Sequence, residues 1–128
     1  MLRARIACEV AATLRATRSP AVLERAPRPA QPGKTVADAL TAPVFGEACL
    51  GVCAGLLDEV VHLDEEEIRE GMRFIYARAK LACEPGAAVA VAALLAGRVA
   101  DLGDGPVVAI VSGGNVTPAI AAAIIAPA

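Results

Sequence analysis

Ser112-Gly113-Gly114-Asn115 are the first residues in this chain whose types and spacing could do chemistry. They follow Pro106 to Val111, a β-branched run of the sort that lies buried in a parallel sheet. Thr117 and Pro118 come next and can cap and open a helix. In an open α/β sheet, ligands gather at the C-terminal ends of strands. Two glycines at such an end let backbone approach a ligand closely, and the helix N-terminus beyond favours an anion or an electron-rich atom. The Ser112 hydroxyl can both donate and accept. A plain connection has the same composition, so the turn alone defines no activity.

Other constellations fall short of a site. His62, the single histidine, is far in sequence from Ser112, and no GxSxG elbow surrounds that serine. GxGxxG and Walker loops are absent. Cys49 and Cys53 stand four apart on an expected helix, yet with Cys8 and Cys83 they form no CxxC pair, and His62 falls in an expected strand. No metal is expected from such a set; free thiols in a reducing cytoplasm account for it. The carboxylates of Asp64 to Glu67 read as a helix start, with Asp64 and Glu67 at capping-box spacing and Glu65 to Glu67 against the helix dipole.

The elements that must position the turn follow from pattern. Arg5 to Val10 reads as a strand, and Ser19 to Lys34 as an extended connection holding Pro20, Pro27, Pro29 and Pro32. Val44 to Leu57 reads as a very apolar helix, with Gly46, Gly51 and Gly55 as points of close approach, and Val60 to Leu63 as a short strand. From Asp64 a helix runs with Ile68, Met72, Ile75 and Ala79 on one face and a Glu65–Arg69 pair on the wet side. Glu84-Pro85-Gly86 breaks the chain before an Ala/Val/Leu helix to about Gly97. Alternating strands and helices give one α/β domain over residues 1–128: three layers, a mainly parallel sheet and flanking helices.

Composition limits the partners. At 128 residues the chain suits one domain, and 56% of it is apolar, mostly small side chains. With two Phe, one Tyr and no Trp it offers no stacking platform for bases, so no nucleic acid is expected. Residues 1–34 hold seven basic and two acidic side chains, read as a solvated surface arm because the arginines are dispersed among prolines. The opening is Arg-rich and nearly acid-free, which has a presequence flavour, but no secretory h-region is present and the cytoplasm is the expected location. Residues 105–128 are uncharged, but Gly113, Gly114, Asn115 and Pro118 interrupt them, so no membrane span is expected.

Four phrases in order resemble the end of the serine/threonine dehydratase and serine racemase group of fold-type II pyridoxal-phosphate enzymes. They are PGKTVADALTAP, LLDEVVHLDEEEIREGMRFIYARAKL, CEPGAAVAVAALLAG and VVAIVSGGNV; they cover most of residues 35–128, and RIACEV matches the strand before them. The resemblance implies a lyase that removes water from serine or threonine to give a 2-oxo acid and ammonia. It implies that Ser112 hydrogen-bonds the pyridine nitrogen of pyridoxal phosphate, with Gly113, Gly114 and Asn115 forming the turn that presents it. Glu84 matches a glutamate near the cofactor ring, and Ala39 a position, usually glycine, whose backbone borders the cofactor. Glu9 matches a cation-binding carboxylate of some members, but Arg15 stands where the second would fall. Gly86-Ala87 replace a small polar residue and a glycine. The catalytic lysine and the glycine-rich phosphate loop lie upstream of the matched region in this family, and neither Lys34 nor Lys80 matches that lysine. The expectation is therefore a C-terminal portion, inactive alone, completed by an N-terminal half or by a homo-oligomer and acting on a small amino acid. The alternative is a non-catalytic remnant or partner-binding fragment.

Overall fold

The computed structural model describes residues 4–6, 33–44, 47–48, 51, 57–99 and 104–126. The connection over 19–32, most of the expected helix 44–57, Cys8, Glu9, Arg15, Cys49 and Cys53 lie outside them.

Strand β1 (Ala4–Ile6) pairs in parallel with β2 (Leu57–Val60), Ala4 opposite Leu57 and Ile6 opposite Val60, with an irregularity between. A parallel pair needs a long crossover, and the 50 residues between Ile6 and Leu57 supply one. The strand begins at Leu57 rather than Val60, so it takes in Asp58 and Glu59 despite their low strand propensity, at the irregularity between the two paired positions. His62 lies past β2, exposed, and not inside a strand.

Helix α1 (Glu65–Phe74) starts with a complete capping box: the Glu67 amide donates to Asp64 Oδ1 at 2.8 Å and the Asp64 amide to Glu67 Oε2 at 2.9 Å. Ile68, Met72 and Ile75 face inward, 2% exposed or less. The helix then widens into a π-turn, Ile75–Ala79, which swings Ala79 out to solvent and ends at Lys80 with φ 58°. Glu65 does not pair with Arg69. Its Oε2 accepts the Val36 amide at 2.8 Å, tying α1 to the loop before the 3₁₀ turn Asp38–Leu40, while Arg69 lies 4.0 Å from Glu66.

Helix α2 (Pro85–Leu95) opens with proline at its first position and is apolar on nearly all sides. It ends in a Schellman arrangement around Gly97 at φ +62°: the Arg98 amide donates to the Ala93 carbonyl at 2.9 Å and the Gly97 amide to Leu94 at 3.2 Å. Arg98 returns to the start of α1, its Nε 2.8 Å from Glu67 Oε1. The close crossing of the two helices is at Gly71, where an added Cβ would lie 2.7 Å from Ala92 Cβ; around Gly51, by contrast, such a Cβ would meet nothing within 4 Å.

Helix α3 (Pro118–Ile125) is capped by Thr117, whose hydroxyl accepts the Ile120 amide at 3.3 Å. Arg73 Nε donates to the Ile124 carbonyl at 2.8 Å, placing a cation at the negative end of α3. Two apolar clusters result. One joins Ala37, Leu63, Ile68, Val89, Ala92 and Ala93; the other joins Met72, Ile75, Cys83, Ala87, Ala88 and Ile124. The residues 106–111 are extended but differ from the expected buried strand: Val108 is 81% and Ile110 72% exposed, and no strand among the described residues pairs with them. Burial of a parallel strand depends on neighbours distant in sequence, which the run itself does not specify.

Candidate functional site

Segments 82–84 and 112–115 run side by side, and Glu84 joins them. It occupies the N-cap position of α2, yet its side chain makes no cap bond to that helix. Its carboxylate turns instead to the other segment, where Oε2 accepts the Asn115 amide at 3.1 Å. The Glu84 amide donates to the Gly113 carbonyl, also at 3.1 Å. One residue thus holds the turn by both backbone and side chain.

This approach explains Gly113, whereas a side chain at Gly114 would only reach ordinary van der Waals contact. A Cβ on Gly113 would fall under 3.0 Å from the Glu84 carboxyl group, and one on Gly114 would sit 3.5 Å from the Ala82 carbonyl oxygen. The turn itself closes with the Val116 amide donating to Gly114 at 2.9 Å. Val111 and Val116, at its two ends, pack on the cluster that contains Cys83, so the turn is seated at its ends and open at its tip. Ser112 is exposed.

Ala39 reaches the same place from the 3₁₀ turn. A Cβ built on Gly86 would lie 3.5 Å from Ala39 Cβ, 3.4 Å from Leu40 Cγ and 3.9 Å from Glu84 Oε1. Gly86 therefore lies between Ala39 and Glu84, and Glu84 in turn bonds the Ser112–Asn115 turn, so the three stretches are linked through Glu84. Lys34 and Lys80 are both exposed, and among the described residues neither hydrogen-bonds the turn.

Cys83 is wholly buried in the cluster that Val111 and Val116 cover. Burial pushes its thiol above the ordinary value, and the neighbouring Glu84 charge adds to the rise. It is a neutral packing group, not a nucleophile. Cys83 is the free thiol the sequence suggests, but its place and that of Ala82 beside the turn depend on the backbone of a segment about 30 residues away. Among the described residues no three His, Cys, Asp or Glu side chains gather as a metal site, and no helix is long and apolar enough to cross a membrane.

The parallel strand pair, the helices and a glycine turn before a helix are the elements of an α/β domain. Residues 5–113 match the pyridoxal-phosphate dependent enzyme family, and the chain belongs to it. A catabolic L-threonine dehydratase of Staphylococcus aureus (strain USA300) is 42% identical over 84 residues, which are 64% of this chain and 24% of that protein. Maize serine racemase superposes with a TM-score of 0.74 at 28% identity, covering 90% of this chain and 36% of that one. A threonine deaminase from T.th. shares the fold, with a TM-score of 0.63 at 23% identity over 77% of this chain and 35% of that one. The chain thus spans about a quarter of the length of the curated relatives it matches.

Proposed function

We propose that this chain forms the ring side of the cofactor site in a pyridoxal-phosphate-dependent amino-acid dehydratase that converts serine or threonine to a 2-oxo acid and ammonia. The observation that carries the reading is the convergence of Ala39, Glu84 and the Ser112–Asn115 turn from three separate stretches. The 42% identity to a threonine dehydratase favours elimination over the racemisation named for the maize relative.

The residues fit that end of the cofactor. An exposed, uncharged hydroxyl at the tip of a glycine turn suits a ring nitrogen, and the Ala39 and Gly86 wall suits the flat face beside it. When bound, pyridoxal phosphate supplies the electron sink for negative charge at the substrate α-carbon. Ser112 holds the ring nitrogen without protonating it, which moderates that sink and suits elimination. Gly113, Gly114 and Asn115 set the direction of the Ser112 hydroxyl. The added methyl of Ala39 narrows the wall by one carbon relative to glycine.

A lysine to bond the cofactor and move the α-proton, and a glycine loop to hold the phosphate, come in this reading from an N-terminal half or a second subunit. In that assembly residues 106–111 enter a three-layer, mainly parallel sheet, and the small amino-acid substrate is met in the cytoplasm.

The test is an absorbance titration with pyridoxal phosphate, on the chain together with an N-terminal half supplied from a close relative. Ser112→Ala weakens binding by about 1–3 kcal/mol through one unpaired acceptor, while His62→Ala leaves the spectrum unchanged. Release of 2-oxo acid from serine or threonine occurs with the N-terminal half and not without it. Turnover by the chain alone, or a spectrum that responds to His62→Ala and not to Ser112→Ala, refutes the assignment.

A further inference from the structure

We propose that Glu84 is the positioning residue of the site: it fixes the Ser112-Gly113-Gly114-Asn115 turn in place and thereby sets the hydroxyl of Ser112, without itself reaching the substrate. The inference rests on the functional reading only in what Ser112 touches; the strap stands on the hydrogen bonds alone.

Three observations converge on it. As N-cap residue of α2, Glu84 makes no side-chain bond to that helix, whose Ala87 amide donates to the Glu84 carbonyl instead, and its carboxylate goes to the Asn115 amide. Its own amide donates to the Gly113 carbonyl, so the turn is held on both sides of Gly114. The carboxylate also fills the space a Gly113 side chain would need, which makes Gly113 a requirement of the strap and not of the ligand. No other side chain among the described residues hydrogen-bonds the turn between Ser112 and Asn115.

The experiment compares Glu84→Gln and Glu84→Ala in the full chain by amide hydrogen exchange and by mass-mapped alkylation of Cys83. Glutamine keeps an acceptor oxygen at the same reach, and alanine does not; both lack the charge. The Asn115 amide exchanges about tenfold faster in Glu84→Ala, the factor one such hydrogen bond supplies, and within about threefold of wild type in Glu84→Gln. Cys83, in the cluster that Val111 and Val116 cover, alkylates faster in the alanine than in the glutamine variant. Equal behaviour of the two variants, or wild-type Asn115 exchange in Glu84→Ala, overturns the proposal.

If Glu84→Ala unfolds the chain, the α2 amides lose protection too, and Gly113→Ala decides. Its methyl displaces the carboxylate, so it must free the Asn115 amide while α2 stays protected, and failure to do so counts against the strap. In the cofactor titration, Glu84→Ala and Ser112→Ala are non-additive, because both remove the same ring contact; additive losses refute positioning. A wild-type assembly that binds no pyridoxal phosphate sinks the functional reading and leaves the exchange result to judge the strap.

Discussion

Gly71→Ala tests the crossing of α1 and α2 with a sign as well as a size. In an exposed helix the change stabilises by about 1 kcal/mol, since alanine is the better helix former. Here the new methyl would lie 2.7 Å from Ala92 Cβ, 3.0 Å from Ala92 Cα and 3.0 Å from the Ala88 carbonyl oxygen. Carbon pairs rest at about 3.5–4.0 Å, so the helices must part by roughly 1 Å. No rotamer relieves this, because the neighbours are backbone and methyl groups of residues 1% exposed or less. Overpacking costs about 1–3 kcal/mol, and backbone contacts put this site at the upper end. Subtracting the propensity gain leaves a net loss of about 2 kcal/mol. With a urea slope of about 1–3 kcal/mol/M, the midpoint falls by roughly 1 M, read by far-UV circular dichroism. Ala92→Gly in the same chain recovers part of the loss by removing the nearest carbon. An unchanged or raised midpoint in Gly71→Ala refutes the close crossing.

Further outcomes follow from the same structure. Asp64→Ala removes one half of the capping box and costs about 1 kcal/mol, measured by the same denaturation; no loss would mean the box is not formed in solution. The raised Cys83 pKa means the folded state favours the neutral thiol. That contribution is full below the ordinary value of 9.0 and lost as pH rises through the folded value. Stability above about pH 9 therefore falls more steeply in wild type than in Cys83→Ala, and identical pH slopes would place the thiol in water. Val107, Val108 and Ile110 are 49%, 81% and 72% exposed; at about 2.5 kcal/mol per 100 Å² of wet apolar surface, the purified chain associates. Light scattering that finds a monodisperse monomer with a cooperative melt contradicts this.

The legible parts of the fold were those whose cause is local. Asp64 and Glu67 announce their capping box within four residues, Thr117-Pro118 their helix start, and Gly97 the end of its helix. Gly71 was missed because a glycine inside a polar-faced helix looks the same whether it meets solvent or Ala92. Glu65 was paired with Arg69 by helical spacing, although its oxygen is spent on the Val36 amide 29 residues away. The site was legible in part: the Ser112 turn stood out by composition, whereas Glu84 and Ala39 entered through resemblance. The reason each lies where it does is a contact with a distant backbone, invisible to any window of sequence.

The Glu84–Asn115 bond also closes a ring of chain 31 residues around. The entropy of closing such a ring grows only as the logarithm of its length, so that doubling it costs about 0.6 kcal/mol. Residues added beyond the Schellman end of α2, between Arg98 and Pro106, therefore cost tenths of a kcal/mol and leave the two walls of the site in register. Length can drift in that connection while the turn stays where it is. Inside the short stretch from Lys80 to Glu84 it cannot, because each residue added there moves the carboxylate off the amide it serves.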